Sequence, residues 1–200
     1  MSVFLNSKFK VIRRLGLLPG LTLKNINQKT KLKKFENNLK ITEYLIQLKE
    51  KQKLKFNYML NENQLIKYIK TAKQKRGITS LILLQLLEMR LDSICFNLGF
   101  SQSITQARQI ISHNHILINN YKINISSFQC KPNDIIEIKK KSKSKYLINN
   151  NLKVNFKKNI PFHIKFNNNL YQAIILDYCN KKNLQLHLNE LSVIEYYSKK

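Results

Sequence analysis

The spacing of the apolar residues changes from helical to alternating near residue 115, and this change decides the fold class. Before it, apolar residues recur three or four positions apart, as in the stripe of Leu65, Ile69 and Ala72, which is typical of amphipathic helices. After it, Ile116, Leu117 and Ile118 lead into Asn119-Asn120 in the manner of a strand that ends at a turn. The sequence therefore predicts an α+β fold, with helices followed by a small, mostly antiparallel sheet.

Four helices are predicted from this spacing and from capping residues. Asn61 and Ser103 are good N-cap residues, and each is followed three positions later by a glutamine, as in a capping box. The first predicted helix buries a stripe formed by Ile41, Tyr44, Leu45 and Leu48. The predicted ranges are 41–57, 61–76, 80–98 and 103–113.

The strands are predicted from alternation and from turn residues. Asn119 and Asn120 tolerate left-handed backbone angles and predict a hairpin between 116–118 and 121–123. Further strands are expected at 135–138, 152–156 and 162–166, and a short capped helix at 189–197. Residues 1–40 are basic and are expected to hold little regular structure.

Charge is the feature that points to a binding partner. The 36 Lys and Arg residues face only 11 acids, which leaves a net charge of +25. Such a chain repels itself when it is alone, and a polyanion is the simplest relief, of which nucleic acid is the commonest. No apolar run is long enough to span a membrane, so no membrane partner is expected.

Cysteine chemistry is expected to be absent. Cys95, Cys130 and Cys179 are odd in number and form no C-x-x-C pair, which excludes a disulfide framework and a zinc knuckle. His113 and His115 have no cysteine or carboxylate at ligand spacing. We therefore expect neither a metal nor any other cofactor.

The composition also suggests a compartment. Lys, Asn and Ile are abundant, and their codons are rich in A and T, which is typical of organelle and endosymbiont genomes. The N-terminus lacks the apolar core of a secretory signal. We expect a plastid, including a non-photosynthetic one such as an apicoplast, with a mitochondrion or a bacterial cytoplasm as alternatives.

The region from 103 to 123 carries the densest set of nucleic-acid donors. The predicted helix turns Ile104, Ala107 and Ile111 inward. It presents Thr105, Arg108, Gln109 and Ser112 on the other face, and His113 and His115 follow it. These groups suit phosphates and 2′-hydroxyls, and they do not form a nucleophile with its base. Taken alone, they are also compatible with ordinary polar loop residues.

The same residues resemble a known family, the small-subunit ribosomal protein S4 family in its bacterial and plastid branch. The resemblance is strongest in the family's RNA-binding module, and it covers nearly the whole chain, with the weakest support at 23–40 and 146–185. The stretches that carry it are IRRLGLLPGLT (12–22), LKEKQKLKFNY (48–58), LLQLLEMRLD (83–92), RLDSICFNLGF (90–100), SITQARQIISHNHILINN (103–120), YKINISSFQCKPNDII (121–136) and NELSVIEYYSK (189–199).

The resemblance implies a structural constituent of the small ribosomal subunit rather than an enzyme. Such a protein binds small-subunit rRNA directly at a multi-helix junction in the 5′ domain, nucleates assembly and contributes to translational accuracy. It neighbours ribosomal protein S5 and lies near the channel through which mRNA enters, and it takes no small-molecule substrate. Some members carry an N-terminal zinc site, but this chain has no cysteine before Cys95.

The resemblance also implies how the chain is divided. A helical domain that includes the C-terminus carries an inserted RNA-binding module of two helices and a small sheet. The expected ranges are a basic arm at 1–40, a helical domain at 41–87 plus 186–200, and an inserted domain at 88–185 with its core module at 88–145 and additional strands at 146–185. Tyr197 is then expected to lie against residues 41–76.

The expected RNA contacts combine the charged residues with the donors of the module. They are Arg13, Arg14, Lys53, Lys55, Lys73, Arg76, Arg90, Ser103, Thr105, Gln106, Arg108, Gln109, Ser112, His113, His115, Asn119 and Lys131.

Two other classes of protein carry the same RNA-binding module and are alternatives to a ribosomal protein. Pseudouridine synthases contain an R-L-D motif with a catalytic aspartate, and Arg90-Leu91-Asp92 matches those three letters. The catalytic domain of those enzymes needs more chain than remains here, and Asp92 is expected on a helix ahead of the module. The other alternative is a stand-alone RNA-binding protein, which would not need the helical domain or the C-terminal motif.

Overall fold

Helices and a single antiparallel sheet make up the computed structural model, which describes residues 8–22, 42–139, 141–154, 160–180, 186 and 188–198. The helices in these ranges are α1 (Lys8–Leu15), α2 (Glu43–Asn57), α3 (Glu62–Gln74), α4 (Thr79–Glu88), α5 (Leu91–Asn97), α6 (Ile104–Ser112), α7 (Ser142–Val154) and α8 (Glu190–Ser198). The strands are β1 (Ile116–Ile118), β2 (Tyr121–Lys122), β3 (Ile135–Ile138), β4 (Ile164–Asn167) and β5 (Gln172–Ile175). The α+β prediction is confirmed.

The sheet has the strand order β2-β1-β3-β5-β4, and every neighbouring pair is antiparallel. The predicted β1–β2 hairpin is present, with Asn119 and Asn120 at φ values of 50° and 70°. Positive φ at both central positions gives the turn the twist that flanking strands need. One face of β1 and β3 is buried through Ile116, Ile118 and Ile136.

The buried apolar residues form two clusters. The first, here called the helical core, draws on α1 to α4 and α8, on Leu18, Leu21 and Leu186, and on Phe96 of α5 and Ile104 of α6. The second, the sheet core, draws on α5, α6, the sheet and Ile148 of α7. Residues 8–21 are therefore packed into the helical core rather than forming a free arm.

The C-terminal helix α8 packs against α2 through polar groups. Gln47 of α2 donates to Glu195 at 3.1 Å, and the Glu50 carboxylate accepts from the Asn189 backbone at 2.9 Å. Tyr197 donates to Glu62 at 2.5 Å, so it lies against residues 41–76 as the sequence predicts. Lys51 lies over the Tyr196 ring at 4.5 Å, a cation–π contact that adds to this interface.

The prediction of which α2 face is buried was wrong. Tyr44 and Leu45 are exposed, and the buried positions are Gln47, Glu50, Lys51, Leu54 and Asn57. The face that packs toward α8 is set by hydrogen bonds from Gln47 and to Glu50, together with Leu54, which joins Val193 of α8 in the helical core. Ile41 lies outside the described residues.

Three further sequence expectations need correction. Residues 8–15 form helix α1, because Val11, Ile12 and Leu15 supply a helical stripe to the helical core. The expected helix at 80–98 is broken at Met89 and Arg90, where Arg90 is extended and bridges to Gln129.

The third correction concerns the expected strand at 152–156. Residues 152–154 end helix α7, whose buried positions Ser144, Ile148 and Asn151 follow helical spacing. Residues 155 and 156 lie outside the described ranges.

Candidate nucleic-acid interface

Helix α6 is fixed by its capping residues and by one apolar face. The Ser103 hydroxyl accepts from the Gln106 backbone at 3.3 Å, and the Gln106 side chain accepts from the Gln102 backbone at 2.7 Å. Such reciprocal bonds satisfy donors that a helix start leaves without partners. Ile104, Ala107 and Ile111 are buried, as predicted.

The opposite face of α6 supplies fewer free donors than the sequence suggests. Gln109 and Ser112 are exposed, and Thr105 is half-buried beside the Ser103 hydroxyl at 2.9 Å. Ser103 and Gln106 are used by the cap, and Gln106 also donates to Asn151 at 3.4 Å. Within the helix, Gln109 and Ser112 are therefore the best-placed polar contacts.

Arg90 does not lie on a surface, which corrects its place among the RNA contacts. Its guanidinium donates twice to Asp92, from Nε at 2.9 Å and from Nη2 at 2.7 Å, and once to the Tyr68 hydroxyl at 2.5 Å. Only 4% of its side chain is exposed. Burial acts to lower the pKa of Arg90, but the Asp92 carboxylate outweighs it and raises that pKa, so the charge is kept.

Arg108 is likewise turned inward and is a second correction. Its Nε donates to Asp92 at 2.8 Å, and its two terminal nitrogens donate to the carbonyls of Met59 and Tyr58, each at 2.8 Å. The guanidinium therefore ties α6 to the end of α2. Removing it would leave Asp92 and the two carbonyls without these hydrogen bonds.

The junction between the two cores contains a further close approach at Gly20. Its backbone N–H donates to the Asn57 side chain at 2.9 Å, and its carbonyl accepts from the Ile104 backbone at 2.9 Å. A Cβ at this position would lie 2.4 Å from the Asn57 carbonyl oxygen. The sequence predicts a turn at Leu18-Pro19-Gly20, but the close approach to Asn57 and Ile104 depends on the tertiary fold and has no local signal.

His113 and His115 lie together at the end of α6, with ring centroids 6.1 Å apart. His113 is exposed and His115 is half-buried. Nδ1 of His115 is 2.8 Å from the Ser144 hydroxyl of α7. Burial, the neighbouring His113 and then Lys139 lower the pKa of His115, so its ring is held neutral near pH 7.

Asn119 has a role within the fold. Its side chain donates to Asp134 at 2.9 Å and accepts from the Ile135 backbone at 2.9 Å, although the residue is exposed. Lys131 is exposed as well, and its backbone N–H donates to the Asp134 carboxylate. The Lys131 side chain is therefore the better candidate for a ligand contact.

The cations of the helical part fall into two groups. Lys73 and Arg76 at the end of α3 are exposed, as are the neighbouring cations Lys67, Lys70 and Lys75. Arg13 and Arg14 of α1 are also exposed, and Arg14 donates to Gln52 at 3.1 Å.

Lys53 and Lys55 belong to the other group. They are bound in ion pairs with Glu50 and Glu62, so their charges are partly compensated. The end of α3 is therefore an exposed cationic surface of the helical part.

The structure separates the predicted contacts into those that face solvent and those that hold the fold. The solvent-facing ones are Arg13, Arg14, Lys73, Arg76, Gln109, Ser112, His113 and Lys131. Lys122, Lys139 and Lys141 were not among the predicted contacts, although Lys139 pairs through its backbone with His115 at 2.9 Å. The lysine run at 139–145 was visible in the sequence, but its position beside His115 depends on the β1–β3 pairing.

Asp92 is not placed as a catalytic residue. It is fully buried and accepts from Arg90, Arg108 and the Ser93 backbone, so no substrate reaches its carboxylate in this structure.

Within the described ranges, no group of three His, Cys, Asp or Glu side chains could hold a metal ion. No helix in those ranges is long and apolar enough to cross a membrane. Cys95 is buried, and burial raises the pKa of its thiol, as expected for an inert core cysteine.

Comparison with known proteins covers the whole chain. The S4 domain family matches residues 89–136, and the ribosomal protein S4/S9 N-terminal domain family matches residues 4–88. The small ribosomal subunit protein uS4c of Phaeodactylum tricornutum is 52% identical over 203 residues, and that of Trieres chinensis is 49% identical over 206 residues. Each alignment covers 100% of this chain and 100% of the relative. The uS4c protein of Marchantia polymorpha is 45% identical over 100% of this chain and 99% of its own.

Proposed function

Since the chain belongs to the ribosomal protein S4 family in its plastid type, we propose that it binds small-subunit rRNA through the exposed cations of α3 and the α6–β1 edge. It is a structural constituent of the plastid small ribosomal subunit. The observation that carries this function is the full-length match to plastid small-subunit proteins. The expected family resemblance is confirmed by the same match.

The contact surface is inferred from what the fold leaves free. Lys73 and Arg76 end α3 with exposed charges, and Gln109, Ser112 and His113 are exposed along α6 and at its end. Phosphate contacts from lysine and arginine supply most of the affinity for RNA, while amide, hydroxyl and imidazole donors add contacts to sugars and base edges. The buried Arg90 and the inward Arg108 position these elements and do not touch RNA.

The chain's place within the subunit is inferred from the family. The rRNA site is a helical junction of the 5′ domain, and the protein nucleates assembly and contributes to translational accuracy. The chain also neighbours ribosomal protein S5, and it lies near the channel through which mRNA enters. The chain catalyses no reaction, a proposal supported by the burial of Asp92.

The division of the chain is also a proposal. The helical core supports a helical unit formed by 41–87 and 186–200, and residues 8–21 add to it. The sheet core supports an inserted unit at 88–185. The revision from the sequence is that part of the expected N-terminal arm is packed into the helical unit.

Binding of the full chain to transcripts of a plastid small-subunit rRNA tests the function. The 5′-domain transcript is expected to bind more tightly than the 3′-domain transcript, and the logarithm of the affinity should fall with log salt by about 0.7–0.9 per phosphate contact. The variant Lys73→Gln with Arg76→Gln should reduce that slope by up to about two contacts.

The matched control is Lys153→Gln, which removes an exposed lysine at the far end of α7, outside the proposed surface. Its salt slope should equal that of the wild type. Equal affinity for the two transcripts, or a response independent of salt, would contradict the proposal.

A further inference from the structure

Two imidazoles and one lysine are held together where α6 meets the sheet. His113 is the C-cap of α6 and His115 directly precedes β1, with their ring centroids 6.1 Å apart. Asn114 between them has φ of 57°, which turns the chain so that both rings lie at the same edge. The Lys139 backbone donates to the His115 carbonyl at 2.9 Å, which fixes the end of β3 beside them.

Helix α7 fixes the orientation of the His115 ring. Nδ1 lies 2.8 Å from the hydroxyl of Ser144, and Ser144 is buried. A hydroxyl can either donate or accept, so this contact is satisfied whether the imidazole is neutral or protonated. Among the described residues, Nε2 of His115 makes no hydrogen bond, which leaves that nitrogen for a ligand.

The charge interactions that act on His115 all lower its pKa. They come from His113 and Lys139, and Lys141 and Lys122 act in the same way on Lys139. The element packed on its other side, α7, contributes the neutral Ser144 hydroxyl. None of the ion pairs among the described residues brings a carboxylate to this group. An anion is therefore the component that this cluster lacks.

We propose that His113, His115 and Lys139 form a site for an RNA phosphodiester, and that His115 takes up a proton when the phosphodiester binds. This inference rests on the proposed function, since the phosphodiester is that of the bound rRNA. Burial and positive neighbours lower the pKa of His115 in the free protein, and a phosphate anion opposes both effects. By linkage, a group that gains a proton on binding makes the affinity rise as the pH falls.

The affinity of the full chain for the 5′-domain transcript at pH 8, 7 and 6, with fixed salt, tests this site. The wild type is expected to gain about three- to tenfold between pH 8 and pH 6, since one proton taken up corresponds to at most tenfold per pH unit. His115→Gln keeps a side chain that can bond to Ser144 and should lose most of this gain.

Two controls separate the proton effect from loss of charge and from RNA titration. Lys122→Gln removes a neighbouring permanent charge and should lower affinity by a similar factor at all three pH values. Calorimetry of the wild type and of His115→Gln, each in two buffers of different ionisation enthalpy, measures the proton uptake of both proteins directly. Protonation of the RNA itself contributes equally to wild type and variant.

The outcomes distinguish this inference from the proposed function. If wild type and His115→Gln show the same pH dependence, or if calorimetry detects no difference in proton uptake between them, the proton-coupled site is refuted while rRNA binding stands. If the chain fails to prefer the 5′-domain transcript at every pH, the proposed function fails as well.

Discussion

Replacing Asp92 by asparagine is expected to destabilise the protein by about 3–5 kcal/mol, because it removes the only negative charge bound to two guanidiniums in the described fold. Asp92 is fully buried, and Arg90 exposes only 4% of its side chain. Removing one partner from a buried ion pair leaves a charge that can be neither hydrated nor paired, and losses of this size are typical.

The size of the expected stability loss follows from the hydrogen bonds that the Asp92 carboxylate accepts. Asp92 accepts from Arg90 at 2.9 and 2.7 Å, from Arg108 at 2.8 Å and from the Ser93 backbone at 2.9 Å. Hydrogen bonds to charged groups contribute about 1.5–3 kcal/mol each, but they share one carboxylate and do not add. Arg108 is 29% exposed and retains two carbonyl acceptors, so the stranded charge of Arg90 dominates the loss.

Urea unfolding followed by circular dichroism at 25 °C measures this loss. Glu137→Gln is the matched control, since it changes one half-buried carboxylate whose partner is Gln172, and it should cost less than about 1 kcal/mol. Arg90→Met combined with Asp92→Leu removes both buried charges and should recover at least half of the loss. A loss below about 1 kcal/mol for Asp92→Asn, or a double variant no more stable than the single one, would refute the reasoning.

Two further predictions concern the junction of the cores and the α2–α3–α8 interface. Gly20→Ala places a Cβ 2.4 Å from the Asn57 carbonyl oxygen and should cost about 2–3 kcal/mol. Gly16→Ala, which has φ of 94° and open space, should cost only about 1 kcal/mol; equal shifts in thermal unfolding would contradict the steric argument. Burial alone would raise the pKa of Glu62, but bonds from Tyr197, Lys55 and Lys51 lower it to about 2 from an ordinary 4.5, so this carboxylate stabilises the fold above pH 4.5 and loses that effect as the pH falls toward 2. Because Glu62 is about one-third exposed, Glu62→Gln should cost about 1–2 kcal/mol in urea unfolding at pH 6 and clearly less at pH 3; an unchanged difference at pH 3 would argue against the lowered pKa.

The sequence correctly predicted those elements that are determined by residues close to one another in the chain. The caps at Asn61 and Ser103 and the hairpin turn at Asn119-Asn120 are present as expected. Each depends on residues within four positions of one another, so the sequence pattern contains the whole interaction. The apolar stripes of α3 and α6 were predicted for the same reason.

The elements that were missed depend on partners far along the chain. The buried face of α2 is polar because α8 supplies Glu195 and Asn189 as partners, and apolar spacing does not detect such pairs. The helix break at Arg90 occurs because residues 89–92 bond to the backbone at 126–130, while the apolar pattern continues through the break.

The sequence indicated the region of the candidate site, but not which of its residues are exposed and which are bound within the fold. Exposed Gln109, Ser112 and His113 lie where the sequence suggests. Arginine at 90 and 108 could equally well bind phosphate or a buried carboxylate, since both ligands suit a guanidinium. Only the tertiary fold brings Asp92 between them.

The inward turn of Arg108 bears on how the proposed RNA contacts depend on RNA shape. Its guanidinium joins α6 to the carbonyls of Tyr58 and Met59, which lie between α2 and α3. The histidine edge is thereby tied to the segment from which α3 begins. In the proposed rRNA complex, two linked contact regions would act together, because the first contact presents the second at high effective concentration. Affinity would then depend on the shape of the folded RNA as well as on its charge.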